Sequence, residues 1–137
     1  MNRPRVLLAD DHTLVVDGLR RILEPQYEVV GAVEDGRALL AAAERLKPDI
    51  VLVDISMPLL NGVDAGQKLH DAAPDAKVIF VTIYADPTYV ARAFAAGARG
   101  YVLKRCASLE LVDAILQVLR GGIYVTPLIR KDFPDDL

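Results

Sequence analysis

Two adjacent aspartates, Asp10 and Asp11, close the apolar run Val6-Leu7-Leu8-Ala9, and Asp54 closes a second run, Ile50-Val51-Leu52-Val53. A short apolar run that stops at an acid marks a buried strand reaching the surface. In an open parallel sheet, ligands collect at the carboxyl ends of the strands, so the three acids are expected to meet there. Crowded carboxylates repel one another. A hard divalent cation held by oxygens offsets that repulsion, and Mg2+ keeps several waters, so Asp54 with one or both of the paired acids suffices. Thr82 ends a further run and Lys104 follows another, which brings a hydroxyl and an ammonium to the same rim. A lysine beside carboxylates forms a charge pair and can also bind an anion carried on one of them. Each residue has a plainer reading: Asp11 as a helix cap, Thr82 as a β-branched strand residue, Lys104 as a solvated lysine. Their joint placement favours a site.

The elements that must position these side chains are legible as an alternation. Strand candidates are Arg5–Ala9, Glu28–Val33, Ile50–Val53, Val78–Thr82 and Gly100–Leu103. Helical patterns lie between and after them, near His12–Glu24, Gly36–Leu46, Gly62–Ala72, Pro87–Ala96 and Ser108–Arg120. Five strands each followed by a helix predict an α/β fold, a parallel sheet covered on both faces. The first, third and fourth strands are almost wholly apolar and read as central. Glu28 and Gly31 make the second an edge.

Breakers fall between the elements. Asp86-Pro87 offers an N-cap and a first-turn proline. Gly97 closes the helix that follows, and Ser108 is the expected cap of the last one. That last helix carries two apolar stripes. Leu111, Ile115, Val118 and Leu119 face the sheet, while Leu109, Val112 and Leu116 form a second stripe that is either a wide core face or a dimer surface. After Tyr124-Val125-Thr126-Pro127 the pattern stops, and the remainder reads as a tail.

The totals exclude several classes. The chain has 137 residues, 53% hydrophobic and 26% charged, which suits one domain able to bury a core without disulfides or structural metal. No apolar run approaches a membrane span, and the N-terminus lacks the apolar core of a signal peptide. With one cysteine, Cys106, and no export signal, the expectation is a cytoplasmic protein. A net charge of −3 and a pI near 5.3 argue against direct binding of nucleic acid by this chain.

Taken together, Asp10-Asp11, Asp54, Thr82 and Lys104 resemble the phosphorylation site of a response-regulator receiver domain. The stretch Leu52-Val53-Asp54-Ile55-Ser56-Met57-Pro58-Leu59-Leu60-Asn61-Gly62 is similar to the phosphoacceptor strand and loop of that family. Ala98-Arg99-Gly100-Tyr101-Val102-Leu103-Lys104 resembles its fifth strand. Asp10-Asp11-His12, with Gly121-Gly122-Ile123-Tyr124-Val125-Thr126-Pro127, is similar to the NarL/FixJ (LuxR-type) subfamily. The resemblance implies a doubly wound, flavodoxin-like, five-stranded parallel sheet of order 2-1-3-4-5. It implies a receiver unit over residues 4–122, with 123–137 a C-terminal tail or the start of a linker.

The resemblance also implies a mechanism. Asp54 takes a phosphoryl group from the histidine of a sensor kinase. Mg2+ (or Mn2+) is held by Asp10, Asp11, Asp54 and the backbone carbonyl of Ser56, with Asp10 acting through water. Lys104 and Thr82 meet the phosphoryl oxygens. Tyr101 moves with Thr82 and reshapes the surface of the fourth helix, fifth strand and fifth helix; its plainer reading is an ordinary strand aromatic at the sheet edge. Ser56, Ile83 and Tyr84 tune loss of the phosphoryl group. Two positions depart from the wider family: bulky Ile83 follows Thr82, and Arg105 follows Lys104 where proline is common, which argues against a cis peptide there.

The expected function is therefore a signalling receiver and not an enzyme acting on outside substrates. A Mg-dependent phosphatase or phosphotransferase with an aspartyl nucleophile is the rival, and it calls for an acid two residues past Asp54, where Ser56 stands. A flavin or nucleotide module needs a Gly- or Ser/Thr-rich loop after the first strand, where Asp10-Asp11-His12 stands instead. Expected partners are a sensor histidine kinase and a second copy of the chain, through Leu109, Val112 and Leu116. DNA is reached only through a helix-turn-helix domain beyond residue 137; the alternative is a stand-alone receiver acting on a protein partner. His12, His70 and Cys106 take the plain reading of helix start, solvated side chain and spectator thiol.

Overall fold

The apolar runs become strands and the periodic stretches become helices. The computed structural model describes residues 3–54 and 68–130. Strand β1 (Arg5–Ala9) leads to α1 (Thr13–Leu23), β2 (Glu28–Val33), α2 (Gly36–Leu46) and β3 (Ile50–Val53). Residues 68–72 are helical and are called α3. Then follow β4 (Lys77–Thr82), α4 (Pro87–Ala95), β5 (Gly100–Leu103), a 3-10 turn (Lys104–Cys106), α5 (Ala107–Leu119), β6 (Tyr124–Val125) and α6 (Pro127–Arg130). The expected helix start at Gly62, the Met57-Pro58 loop and Ser56 lie outside the described residues.

All pairings are parallel, and the sheet runs β2-β1-β3-β4-β5-β6. Its first five strands follow the expected order. Among the described residues a sixth strand, β6, extends the expected five. Gly100 pairs with Tyr124 and Tyr101 with Val125, so Tyr101 lies inside the sheet and not at its edge. Thr126 extends the docking: its N–H donates to the Tyr101 carbonyl at 3.0 Å, and its hydroxyl accepts from the Leu103 N–H at 3.0 Å. Val125, Thr126 and Ile129 are buried, so the first part of the stretch read as a tail packs on the core.

Alternation along the strands divides the core into two layers. Leu7, Val51, Val53, Phe80 and Tyr101 face α2, α3 and α4. Val6, Leu8, Ile50, Leu52, Ile79 and Val102 face α1 and α5. β1, β3 and most of β4 are buried, whereas β2 is half-exposed, as an edge strand should be.

Helix ends explain how the rim is held. The Asp86 carboxylate accepts from Thr88 N–H at 2.8 Å, and Pro87 opens α4. Gly97, at φ +99, closes it, with Gly97 N–H on the Phe94 carbonyl and Ala98 N–H on Ala93. Gly121, at φ +93, ends α5 in the same way. The expected Ser108 cap is displaced: α5 begins at Ala107, directly out of the 3-10 turn, and Cys106 occupies the cap position without a side-chain bond. The turn already directs the chain into the helix, leaving Ser108 inside its first turn. Among the described residues no peptide is cis, so Lys104-Arg105 is trans. No helix there is long and apolar enough to cross a membrane.

Candidate functional site

The strand order reverses direction at β1 and β3, and a crevice opens at the carboxyl ends of those strands. The acids stand in it because the ladder continues one residue past each strand. Asp10 N–H donates to the Val33 carbonyl at 3.0 Å, and Asp54 N–H to Ala9 at 2.9 Å. Both residues are nearly closed to solvent, at 3% and 2% exposure. Asp11 is exposed. It does not cap α1; His12 holds that position, and no side chain bonds to the helix N-terminus there.

Lys104 bridges the two buried acids. Its Nζ lies 2.9 Å from Asp10 Oδ2 and 3.1 Å from Asp54 Oδ2, with the side chain only 15% exposed. Burial pulls the ammonium's pKa down, but hydrogen bonds to Asp10 and Asp54 outweigh it and hold the group above the usual lysine value. Lys104 is thus a charged partner of the acids and not a solvated lysine.

His12 takes the other side of Asp10. Its backbone N–H donates to Asp10 Oδ1 at 2.8 Å, closing a turn in which the aspartate bonds two residues ahead. Its ring Nδ1 lies 3.0 Å from both Asp10 Oδ1 and Asp11 Oδ1. Ligand atoms of Asp10, Asp11, His12 and Asp54 all fall within 4.8 Å of one another. The sequence reading confined His12 to the start of the helix. The signal available was its place directly after two acids at a strand end, where a turn folds it back over them.

Three carboxylates against one ammonium leave a negative pocket lined by hard oxygens, a donor set that fits a small divalent cation. Thr82, fully buried, ends β4 beside the strand bearing Asp54, and its hydroxyl accepts from Tyr84 N–H at 3.3 Å. Tyr101 is fully buried and its hydroxyl donates to the Tyr84 carbonyl at 2.6 Å. Burial pushes that phenol far up, with Tyr89, Asp86, Asp54 and Tyr84 adding to it. Tyr84 stacks on Tyr89 of α4, ring centres 4.6 Å apart, so Tyr101 is tied to the β4–α4 loop through Tyr84.

The remaining predicted positions separate. Ile83 is 69% exposed, and Tyr84 is half-buried. On α5, Leu111, Ile115 and Val118 are buried against the sheet, whereas Leu109 is 87% exposed and Leu116 is also exposed. Val112 is half-buried against the core. His70 is exposed. Burial and the neighbouring Glu110 push the Cys106 thiol up, against the opposite pull of Arg105, which leaves it a poor nucleophile.

Comparison with known proteins accords with this geometry. Residues 6–116 match the response regulator receiver domain family. The chain is 39% identical over 133 residues to the transcriptional regulatory protein DegU of Brevibacillus brevis, covering 96% of this chain and 56% of that one. A crystal structure of a LuxR-family two-component response regulator from Aurantimonas sp. SI85-9A1 superposes with a TM-score of 0.87 at 32% identity, over 95% of this chain and 94% of that one. A structure described as two RcsB dimers bound to two parallel DNAs superposes with a TM-score of 0.85 at 27% identity, over 95% of this chain and 67% of that one. The chain spans 56–61% of the length of the curated relatives it matches.

Proposed function

The chain belongs to the response regulator receiver family, and from that membership we propose that it is the phosphoacceptor of a two-component system, with Asp54 as the residue that takes the phosphoryl group. The observation that carries this reading is the Lys104 ammonium lying between Asp10 and Asp54 at the crevice. A carboxylate oxygen of Asp54 attacks the phosphorus held on a kinase histidine; the new P–O bond forms as the P–N bond breaks, and the imidazole leaves. Phosphoryl transfer asks mainly for positioning and charge stabilisation. Lys104 moves from its carboxylate partners to a phosphoryl oxygen, and the Thr82 hydroxyl donates to another. Asp10, Asp11, Asp54 and the Ser56 carbonyl would hold Mg2+ (or Mn2+), which neutralises the phosphoryl oxygens when bound. Ser56, Ile83 and Tyr84 set how fast water removes the group.

Recruitment of Thr82 takes its hydroxyl from Tyr84 N–H, and the Tyr84 carbonyl is what holds Tyr101. The charge event thereby reaches α4, β5 and α5, the surface whose change controls dimerisation through Leu109, Val112 and Leu116. The receiver proper is residues 4–122; residues 123–137 lead toward a DNA-binding output domain, their first part docked on β5. The names and lengths of the curated relatives support that arrangement, in a cytoplasmic protein that answers a sensor histidine kinase. A stop codon directly after Leu137 in the gene would remove the output domain and leave a stand-alone receiver.

Incubation with a small phosphodonor and Mg2+, followed by intact mass measurement, tests the reading. One added phosphoryl group is expected in the wild type, and none in Asp54→Asn or without metal. No adduct in the wild type overturns it.

A further inference from the structure

The metal site proposed above is made of oxygens, yet the imidazole of His12 turns into it. Its Nδ1 lies 3.0 Å from Asp10 Oδ1 and 3.0 Å from Asp11 Oδ1. With its side chain 61% exposed, the ring fills no core space, so packing does not account for its direction. Lys104 contacts Oδ2 of Asp10 while His12 faces Oδ1, so the ammonium and the imidazole occupy different sides of the crevice. Two occupants fit the position between Nδ1 and the two oxygens. One is a proton on Nδ1, shared as a forked hydrogen bond. The other is a metal ion, since Nδ1 presents a lone pair in the same direction when the proton resides on Nε2. The spacing admits both: about 3.0 Å is a hydrogen-bond length, and ligands about 2.1 Å from an octahedral ion stand about 3.0 Å from their cis neighbours.

Resting on the metal-site reading above, we propose that His12 Nδ1 is an additional ligand of that site, making it a mixed nitrogen–oxygen site that favours a borderline ion such as Co2+ over Mg2+. Imidazole suits the later divalent metals, while Mg2+ favours oxygen and gains little from it. Asp10, Asp11 and Asp54 set the charge of the site; His12 sets which ion it prefers.

The test is calorimetric titration of the metal-free full chain with MgCl2, MnCl2 and CoCl2 in turn, for wild type, His12→Ala and His12→Asn. The asparagine variant keeps an N–H donor near the carboxylates and lacks the imidazole lone pair. Both variants should bind Co2+ about tenfold more weakly than the wild type, with Mg2+ affinity changed less than about threefold. Pulsed electron paramagnetic resonance of the Mn2+ complex should show directly bound nitrogen in the wild type and not in the variants. Thermal midpoints of the metal-free proteins check that the variants are folded. Absence of the nitrogen coupling in the wild type overturns the proposal, as does an equal loss of Mg2+ and Co2+, or a His12→Asn variant whose preference for Co2+ over Mg2+ is as large as the wild type's. Wild type that binds Mg2+ without preferring Co2+ overturns this inference alone, whereas wild type that binds none of the three ions overturns the metal-site reading with it.

Discussion

Replacing Lys104 with methionine removes the ammonium and keeps much of the side chain's volume. In the wild type that ammonium stands 2.9 Å and 3.1 Å from two acids that are 3% and 2% exposed. At an effective dielectric of about 20, each contact is worth about 5 kcal/mol before desolvation. Desolvation of all three groups takes back most of that sum, and removing one partner of a buried pair costs about 3–5 kcal/mol. The lysine side chain is 15% exposed, so water can reach the acids once it is gone, which sets the expected loss at the lower end, about 3 kcal/mol. That is a fall of roughly 10 °C in melting temperature for a domain of this size. Urea denaturation followed by circular dichroism, at neutral pH in the presence of a chelator, gives the number. Added Mg2+ should raise the variant's midpoint by more than the wild type's, since the cation meets carboxylates with no resident ammonium. A Lys104→Met protein as stable as wild type in chelator would refute the view that the lysine balances the charge of the acids.

Three further outcomes are expected. Thr126→Val deprives the buried Leu103 N–H of its acceptor and should cost about 1–3 kcal/mol in the same denaturation assay; an unchanged midpoint would deny β6 and its threonine a part in the fold. Stability should fall as pH rises past the ordinary phenol value of 10.0, because the fold raises the pKa of Tyr27, Tyr101 and Tyr124 and so binds more protons there than the unfolded chain does; Lys104, also raised, acts in the same direction. Urea midpoints measured from neutral to strongly alkaline pH should decline, and a rise would contradict the assignment. Lysine at both Leu109 and Leu116, which are exposed, should leave the stability of the metal-free monomer within about 0.5 kcal/mol and abolish dimers formed with a phosphoryl mimic, read by sedimentation velocity; dimers that persist would place the interface elsewhere.

The parts of the molecule readable in advance are those governed by burial. β1 and β3 are short apolar runs because both their faces are covered, and each stops at an acid because the chain there reaches the rim. The reversal of order beside β1 then fixes where Asp10 and Asp54 meet, and Lys104 follows from the end of β5. What escaped reading depends on neighbours distant in sequence or on local turn geometry. Tyr124-Val125 is too short to show a period, and it is a strand only because β5 offers an open edge. Ser108 is a good cap residue left unused, because the 3-10 turn at Lys104–Cys106 starts the helix before it. His12 joins the acids through a turn closed by its own backbone N–H on Asp10, which residue types alone do not announce.

The proposed acceptor is Asp54, as distinct from Asp10 and Asp11 beside it. Borohydride reduction of the phosphorylated protein converts an acyl phosphate to homoserine at the residue that carried it, and peptide sequencing by mass spectrometry locates that residue. The prediction is homoserine at position 54 and unchanged aspartate at 10 and 11. Homoserine at position 10 or 11, or at none of the three in a protein that has gained phosphate, would contradict it.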